Sequence, residues 1–274
     1  MQAVAEKGLE MGRKLSKVRL KEREYEVLLE LDKWGVLGIG QLEGMLFWKG
    51  SDTAERIRLL FNEYGRDAYD RYGYKRLVKL ERAGYVRRIT ERGQERIYTL
   101  SRQGKTALNA VRMSGKADMR RTWADGIVHA YVRWNGVGVT LAKLLGAGVR
   151  SRHQLATAAR AKGLHEAQIQ SRIPDLMVDG PVPMAMLVER FIDWEKESKR
   201  WLSGERCFWL YLTSSESWRD AVVRHAKSAG ADDVFAAEES EFRERLGDTV
   251  CVSPKGWMTL GKLIAQPAAK AEAA

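Results

Sequence analysis

Pro174-Asp175 is followed about twenty residues later by Glu195, Glu197 and Lys199, residue types that can act on a phosphodiester. Carboxylates at Asp175, Glu195 and Glu197 can hold Mg²⁺, and a lysine beside them can position or activate the attacking water. If the segment is extended, Glu195, Glu197 and Lys199 lie on one strand face by their spacing of two, with Asp193 beside them. The spacing thus predicts a catalytic set of Asp175, Glu197 and Lys199, with Asp175, Glu195 and Glu197 as the metal ligands. The same run, DWEKESKRW, also has the composition of an exposed charged strand end with opposite charges laced together over Trp194.

A second set of residues offers binding rather than bond breaking. Tyr74, Lys75, Arg76, Lys79 and Arg82 fall within one helical stretch, and Arg87, Arg88, Arg92 and Arg96 follow within a predicted hairpin. Lys and Arg neutralise phosphates, which supply most of the affinity for a duplex, while hydrogen-bonding side chains select base edges. A helix in the major groove flanked by a basic hairpin, with Arg92 at its tip, would contact double-stranded DNA on two surfaces. Binding of this kind needs no cofactor; only the nuclease chemistry would call for Mg²⁺.

The elements that must position these residues are marked in the chain. Tyr25, Leu28, Leu29 and Leu31 recur at helical spacing and stop at Lys33-Trp34-Gly35. Ile39, Leu42, Leu46 and Phe47 mark a short second helix, and Ser51 or Asp52 can cap a third through Ile57, Leu59 and Leu60. Leu77, Val78 and Leu80 form the apolar side of the basic helix, and Gly84 is placed to end it. Tyr85-Val86 and Ile97 to Leu100 read as paired strands across Arg92-Gly93-Gln94. The order is that of a winged helix-turn-helix. In the second half, Trp123 to Arg133 reads as a helix, Pro174 to Val178, Met186 to Trp194 and Phe208 to Leu212 as strands, Trp218 to Ala229 as a helix, and Val234 to Ala237 as a fourth strand. Glycines 136, 138, 146 and 148 match no phosphate-loop spacing.

The predicted fold class is therefore α+β, in five segments: a flexible basic stretch 1–18, a winged helix 19–113, a linker 114–122, a small α/β domain 123–262, and a disordered tail 263–274. The net charge of +11 agrees with a polyanionic partner, and it is placed unevenly. Residues 1–118 carry 25 Lys+Arg against 17 Asp+Glu, leaving 22 against 19 for the rest. Cys207 and Cys251 lie among apolar neighbours without metal-ligand spacing, which predicts buried thiols. With no signal peptide and no apolar run near the ~20 residues of a membrane span, the expected setting is the bacterial cytoplasm.

The stretch RLVKLERAGYVRR through ERIYTLSRQGKTAL resembles the winged helices of bacterial transcription regulators. PD followed by ExK resembles the PD-(D/E)xK nuclease superfamily, which implies a restriction-endonuclease-like second domain. The two halves together resemble the replication-relaxation family of plasmids and other mobile elements. The matching points are the winged helix through Leu100, His129, Val149-Arg150-Ser151, Pro174-Asp175, IDWEKES and Trp218-Arg219. Lys199 departs from that family's pattern, which sets its lysine farther from the acidic strand and within a helix. The resemblance implies a DNA-binding accessory protein of plasmid replication, relaxation or mobilisation. Its expected partners are double-stranded DNA, a relaxase or replication protein, and a second copy of the chain. Two alternatives stay open at this point: a Mg²⁺-dependent endonuclease, and a winged helix that binds protein only.

Overall fold

The computed structural model describes residues 20–63, 72–90, 96–112, 125–188, 193–202 and 207–265. The fold is mixed α/β. Helix α1 (Glu22–Trp34) leads through Gly35 into strand β1 (Val36–Gly38) and helix α2 (Ile39–Leu42), which continues as a π turn over Glu43–Phe47. Gly35 ends α1 with φ +79°, a conformation costly for any residue bearing a Cβ. Asp52 caps α3 (Thr53–Leu60) by accepting from the backbone N–H groups of Ala54 (2.9 Å) and Glu55 (3.2 Å). Helix α4 (Tyr72–Arg82) ends at Gly84 (φ +80°), and β2 (Val86–Arg88), β3 (Ile97–Leu100) and α5 (Arg102–Arg112) follow. These strands form a three-stranded antiparallel sheet in the order β1-β3-β2. The expected strand pairing is present, with Val86 opposite Leu100, and β1 is an added edge strand that the sequence reading missed.

Helix α6 (Asp125–Leu144) runs eleven residues past the expected end at Arg133. Gly136 and Gly138, which match no phosphate-loop spacing, are packing sites within it. A Cβ on Gly138 would come 2.7 Å from the Trp34 ring and 2.8 Å from Leu176, and one on Gly136 would sit 3.1 Å from the Leu60 carbonyl oxygen. Only hydrogen at these positions lets α6 lie close to α1 and α3.

A seven-stranded sheet follows, its strands neighbouring one another in chain order: β4 (Gly148–Ser151), β5 (Leu176–Asp179), β6 (Met184–Val188), β7 (Phe208–Thr213), β8 (Val234–Glu238), β9 (Val250–Ser253) and β10 (Gly256–Thr259). β4 to β6 form an antiparallel meander, β6, β7 and β8 are parallel, and β8 to β10 are antiparallel again. Helices α7 (Arg152–Ala161) and α8 (Glu166–Arg172) connect β4 to β5, while α9 (Trp194–Trp201) and α10 (Glu216–Ala229) make the parallel crossovers. Helices α11 (Glu239–Arg245) and α12 (Leu260–Ala265) are the last described, so residues 263–265 of the expected tail are helical, with Leu263 buried, and the rest of it lies outside the described residues. The strand expected over Met186 to Trp194 is also corrected, since β6 ends at Val188 and Trp194 opens α9.

Alternation along the strands sorts the core. Met186, Val188, Leu210, Leu212 and Phe235 face one side, where they join Trp34, Val137 and Leu141 in a cluster running into Leu28, Leu77 and Tyr98. Leu187, Trp209 and Tyr211 face the other side, under Trp201, Val222 and Ala226 of α9 and α10. The small sheet is covered twice: Leu37, Val86 and Tyr98 face the first-half helices, while Val36 and Ile97 meet Val128, Tyr131 and Val132 of α6. The linker expected at 114–122 lies outside the described residues, but the halves on either side of it share one core.

Polar bonds seal this junction. Buried Asn135 donates to the carbonyls of Trp34 (3.1 Å) and Val36 (2.6 Å), and Gln41 donates to the Val132 carbonyl (2.7 Å). Asn135→Ala strips the donor from two buried carbonyls and is expected to cost about 2–4 kcal/mol, since each unsatisfied group costs ~1–3. The loss is read as a lower urea midpoint at constant slope. Far-ultraviolet and tryptophan signals should fall together; two separated transitions would show that the halves unfold independently.

Candidate nucleic-acid interface

Helix α4 buries Gly73, Leu77 and Leu80 and turns Lys75, Lys79 and Arg82 to solvent. The exposed residues are spaced by four and three, which on a 3.6-residue helix places three cations in one stripe. The sequence dictates this: the apolar positions fix which face is inward, and the cations occupy the remainder. Arg87 is exposed on β2 directly after the helix, and Arg88 is half-buried beside it. Arg92 and the hairpin tip lie outside the described residues.

Three of the expected contacts have other tasks. Arg76 faces α1, where its guanidinium pairs with Glu24 at 2.6 Å, and the Glu24 side chain is only 5% exposed. The other Glu24 oxygen accepts from the Lys21 backbone N–H at 3.0 Å, so one carboxylate ties the start of α1 to the middle of α4. Arg76 thus positions the basic helix. Arg96 lies over the Tyr74 ring, 4.7 Å from its centre, and donates to the Tyr74 hydroxyl, locking β3 to the first turn of α4. Beneath the helix, Tyr98 is buried, and burial first, then the charge of Glu81, pushes its phenol up to about 12. The outer side of the helix carries the exposed cations Lys75, Lys79 and Arg82.

The residues expected to form a nuclease centre are not brought together. Asp175 is fully buried at the start of β5. One carboxylate oxygen accepts from the Val188 N–H at 3.0 Å, and the other faces Arg152 at 3.4 Å. The side chain thus serves as the acceptor for the Val188 N–H just past the β5–β6 ladder, where the Pro174 carbonyl accepts from Arg152 instead. Arg152 is itself buried over Trp134 and donates to the carbonyls of Ile173 and Pro174.

Glu197 and Lys199 lie on helix α9, so the shared strand face is corrected. A spacing of two places them about 200° apart around a helix. Glu197 accepts from Tyr211 and Arg200, and burial followed by the Glu197 charge pushes the Tyr211 phenol well above its ordinary value. Glu195 and Lys199 form an exposed pair at 2.6 Å. The hydrogen bond to Glu195 and then its charge raise the Lys199 ammonium above its ordinary value, the wrong direction for a base. Among the described residues no group of three His, Cys, Asp or Glu is arranged to hold a metal ion. Asp175, Glu195 and Glu197 do not fit Mg²⁺: the first is consumed in a buried pair, and the other two are bonded to neighbouring cations. His129 is exposed on α6, and Arg219, beside Trp218, is engaged by Glu216, Asp220 and Glu238.

The sequence reading also missed buried Arg152, Asn135 and Gln41. Their signal was weak, because a polar residue in an apolar helix discloses its partner only in three dimensions. Compared with protein families, curated proteins and solved structures, the chain matches none.

Removing one partner of a buried ion pair typically costs about 3–5 kcal/mol, and that loss is expected for Asp175→Ala in denaturant unfolding, with or without Mg²⁺. Lys199→Ala should leave the thermal midpoint in place. An Asp175→Ala protein as stable as its parent would refute the structural role assigned to the carboxylate.

Proposed function

We propose that this chain binds double-stranded DNA through a winged helix-turn-helix in which α4 enters the major groove and the β2–β3 hairpin follows the adjacent backbone. The observation that carries the proposal is the exposed stripe Lys75, Lys79 and Arg82 on the helix preceding the hairpin, continued by Arg87. The order α1-β1-α2-α3-α4-β2-β3, with β1 added to the hairpin, supports it. A basic face serving only solubility would have no reason to be concentrated on one helix and continued onto the strand after it.

The second half serves as a rigid support. It covers the back of the hairpin sheet with α6 and so fixes the angle of the wing. The burial of Asp175 favours a scaffold over cleavage. The role as an accessory protein of a mobile element, in replication, relaxation or mobilisation, rests on the family resemblance given above.

Phosphate contacts release counterions, so log K should fall linearly with log salt, with a slope near −0.9 per contact. Lys75→Ala, Lys79→Ala and Arg82→Ala should each flatten that slope by about 0.9 in band-shift titrations. Arg76→Gln, which loosens α4 from α1, should weaken binding at every salt concentration and keep the slope. If all three single variants retain the parental slope, α4 is not the phosphate-binding helix.

A further inference from the structure

A groove of about 520 Å³ lies between α1 and α7, beside the point where Ser151 Oγ donates to the Lys33 carbonyl (2.5 Å). Small-ligand sites typically enclose ~300–1,000 Å³. The lining comes from one side of each helix. Around α1, Asp32, Leu29, Lys33 and Glu30 follow one another across about 160° of the circumference, so Leu29 and Lys33 sit between the two acids. On α7, His153, Thr157, Ala161, Gln154 and Ala158 span about 140°. The His153 ring packs on Gly35, where a Cβ would come 2.7 Å from it. Lys105 of α5 completes one wall.

The charges in this groove do not cancel. Asp32 is matched by Lys105 at 2.6 Å. Glu30 is matched by Lys143 at 3.1 Å, and its other oxygen accepts from Trp34 Nε1 at 3.0 Å. Lys33, between these acids, makes no ion pair among the described residues, and its ammonium lies 4.9 Å from the centre of the Trp34 ring. One cation is therefore left over. Neutral donors stand opposite it on α7. Gln154 uses its side-chain oxygen to accept from the Ser151 N–H (3.1 Å), which leaves its NH₂ group to donate, and Thr157 brings an exposed hydroxyl. A cation facing an amide and a hydroxyl suits an anionic head, since hydrogen bonds to a charged group are the stronger kind. A turn or more farther along each helix, Leu29, Ala158 and Ala161 give the groove an apolar stretch.

We propose that this groove binds a small organic anion, a carboxylate or phosphate head on an apolar body, held between the two halves of the fold. The site is separate from α4 and does not depend on DNA binding. Calorimetric titration of the full chain compares phenyl phosphate and benzoate with inorganic phosphate and acetate, and thermal midpoints are read alongside. The phenyl compounds should bind one per chain, at least about tenfold more tightly than the bare anions, and raise the midpoint as their concentration rises. The tighter of the two identifies the head as phosphate or carboxylate. Lys33→Met, which keeps an apolar stem over Trp34 and removes the charge, should weaken both at least about tenfold. Ala161→Phe, at an exposed position on α7, fills the apolar stretch and should abolish the preference for the phenyl compounds. Midpoints without ligand confirm that each variant is folded. The Lys75→Ala/Lys79→Ala/Arg82→Ala protein should bind phenyl phosphate as the parent does; loss there places the anion on α4 and overturns the proposal. So does equal binding of phenyl compounds and bare anions, parental binding by both folded groove variants, or no binding at all.

Discussion

The last turn of α1 presents carbonyls at Lys33, Trp34 and Gly35 that no helical N–H can reach, and β1 adds the Val36 carbonyl on an open sheet edge. Buried carbonyls must find donors. Here they find them in three distant elements: Ser151 Oγ reaches the Lys33 carbonyl (2.5 Å), Asn135 reaches those of Trp34 and Val36, and Thr99 reaches that of Gly35 (2.7 Å). A single corner of backbone therefore specifies where α6, β3 and the β4–α7 junction must lie. The Trp34 ring, wedged against Gly138 and Leu176, fills the space between them.

That corner makes the two halves mechanically one. Helix α6 is apolar on both sides because it is covered on both, by the hairpin sheet and by the large sheet. The three-stranded sheet cannot tilt without breaking the Val36–Asn135 bond and uncovering Ile97. The ion pair between Glu24 and Arg76 does for the basic helix what α6 does for the three-stranded sheet. Each proposed contact surface is thus held from behind by a buried polar group, so little ordering entropy should be left to lose on binding.

Local features of the first half were legible in the sequence because local chemistry decides them. Gly35 and Gly84 end helices where a positive φ is needed, Asp52 caps α3, and the alternation of Leu77 and Leu80 with Lys75, Lys79 and Arg82 fixes which side of α4 is outward. Both cysteines are free and buried, as their apolar neighbours indicated, and burial pushes the Cys251 thiol up to about 12. The failures came where partners are remote. The helix expected to end at Arg133 runs on through Gly136 and Gly138, and the surfaces these glycines admit, Phe61 and Trp34, are far off in sequence. The segment around Glu197 looked extended because alternating charges fit either period, and a helix won once Trp194 and Trp201, seven apart, could both pack beside His225.

Charge shows the same division between composition and placement. Arg76, Lys79 and Arg82 are near neighbours in one helix, yet the first is consumed by Glu24 while the others face water. Asp175 and Glu195 differ as sharply: one is locked beneath the sheet by Arg152 and the Val188 N–H, the other is solvated beside Lys199. A carboxylate can serve a metal only if it is both accessible and not already satisfied; Asp175 fails both conditions and Glu195 the second. A cation serves a phosphate on the same terms, and Lys75, Lys79 and Arg82 meet the first of them, accessibility, by their exposure. The side chains available to a polyanion are those left over after the fold has claimed its own, and on α4 they fall in a single row.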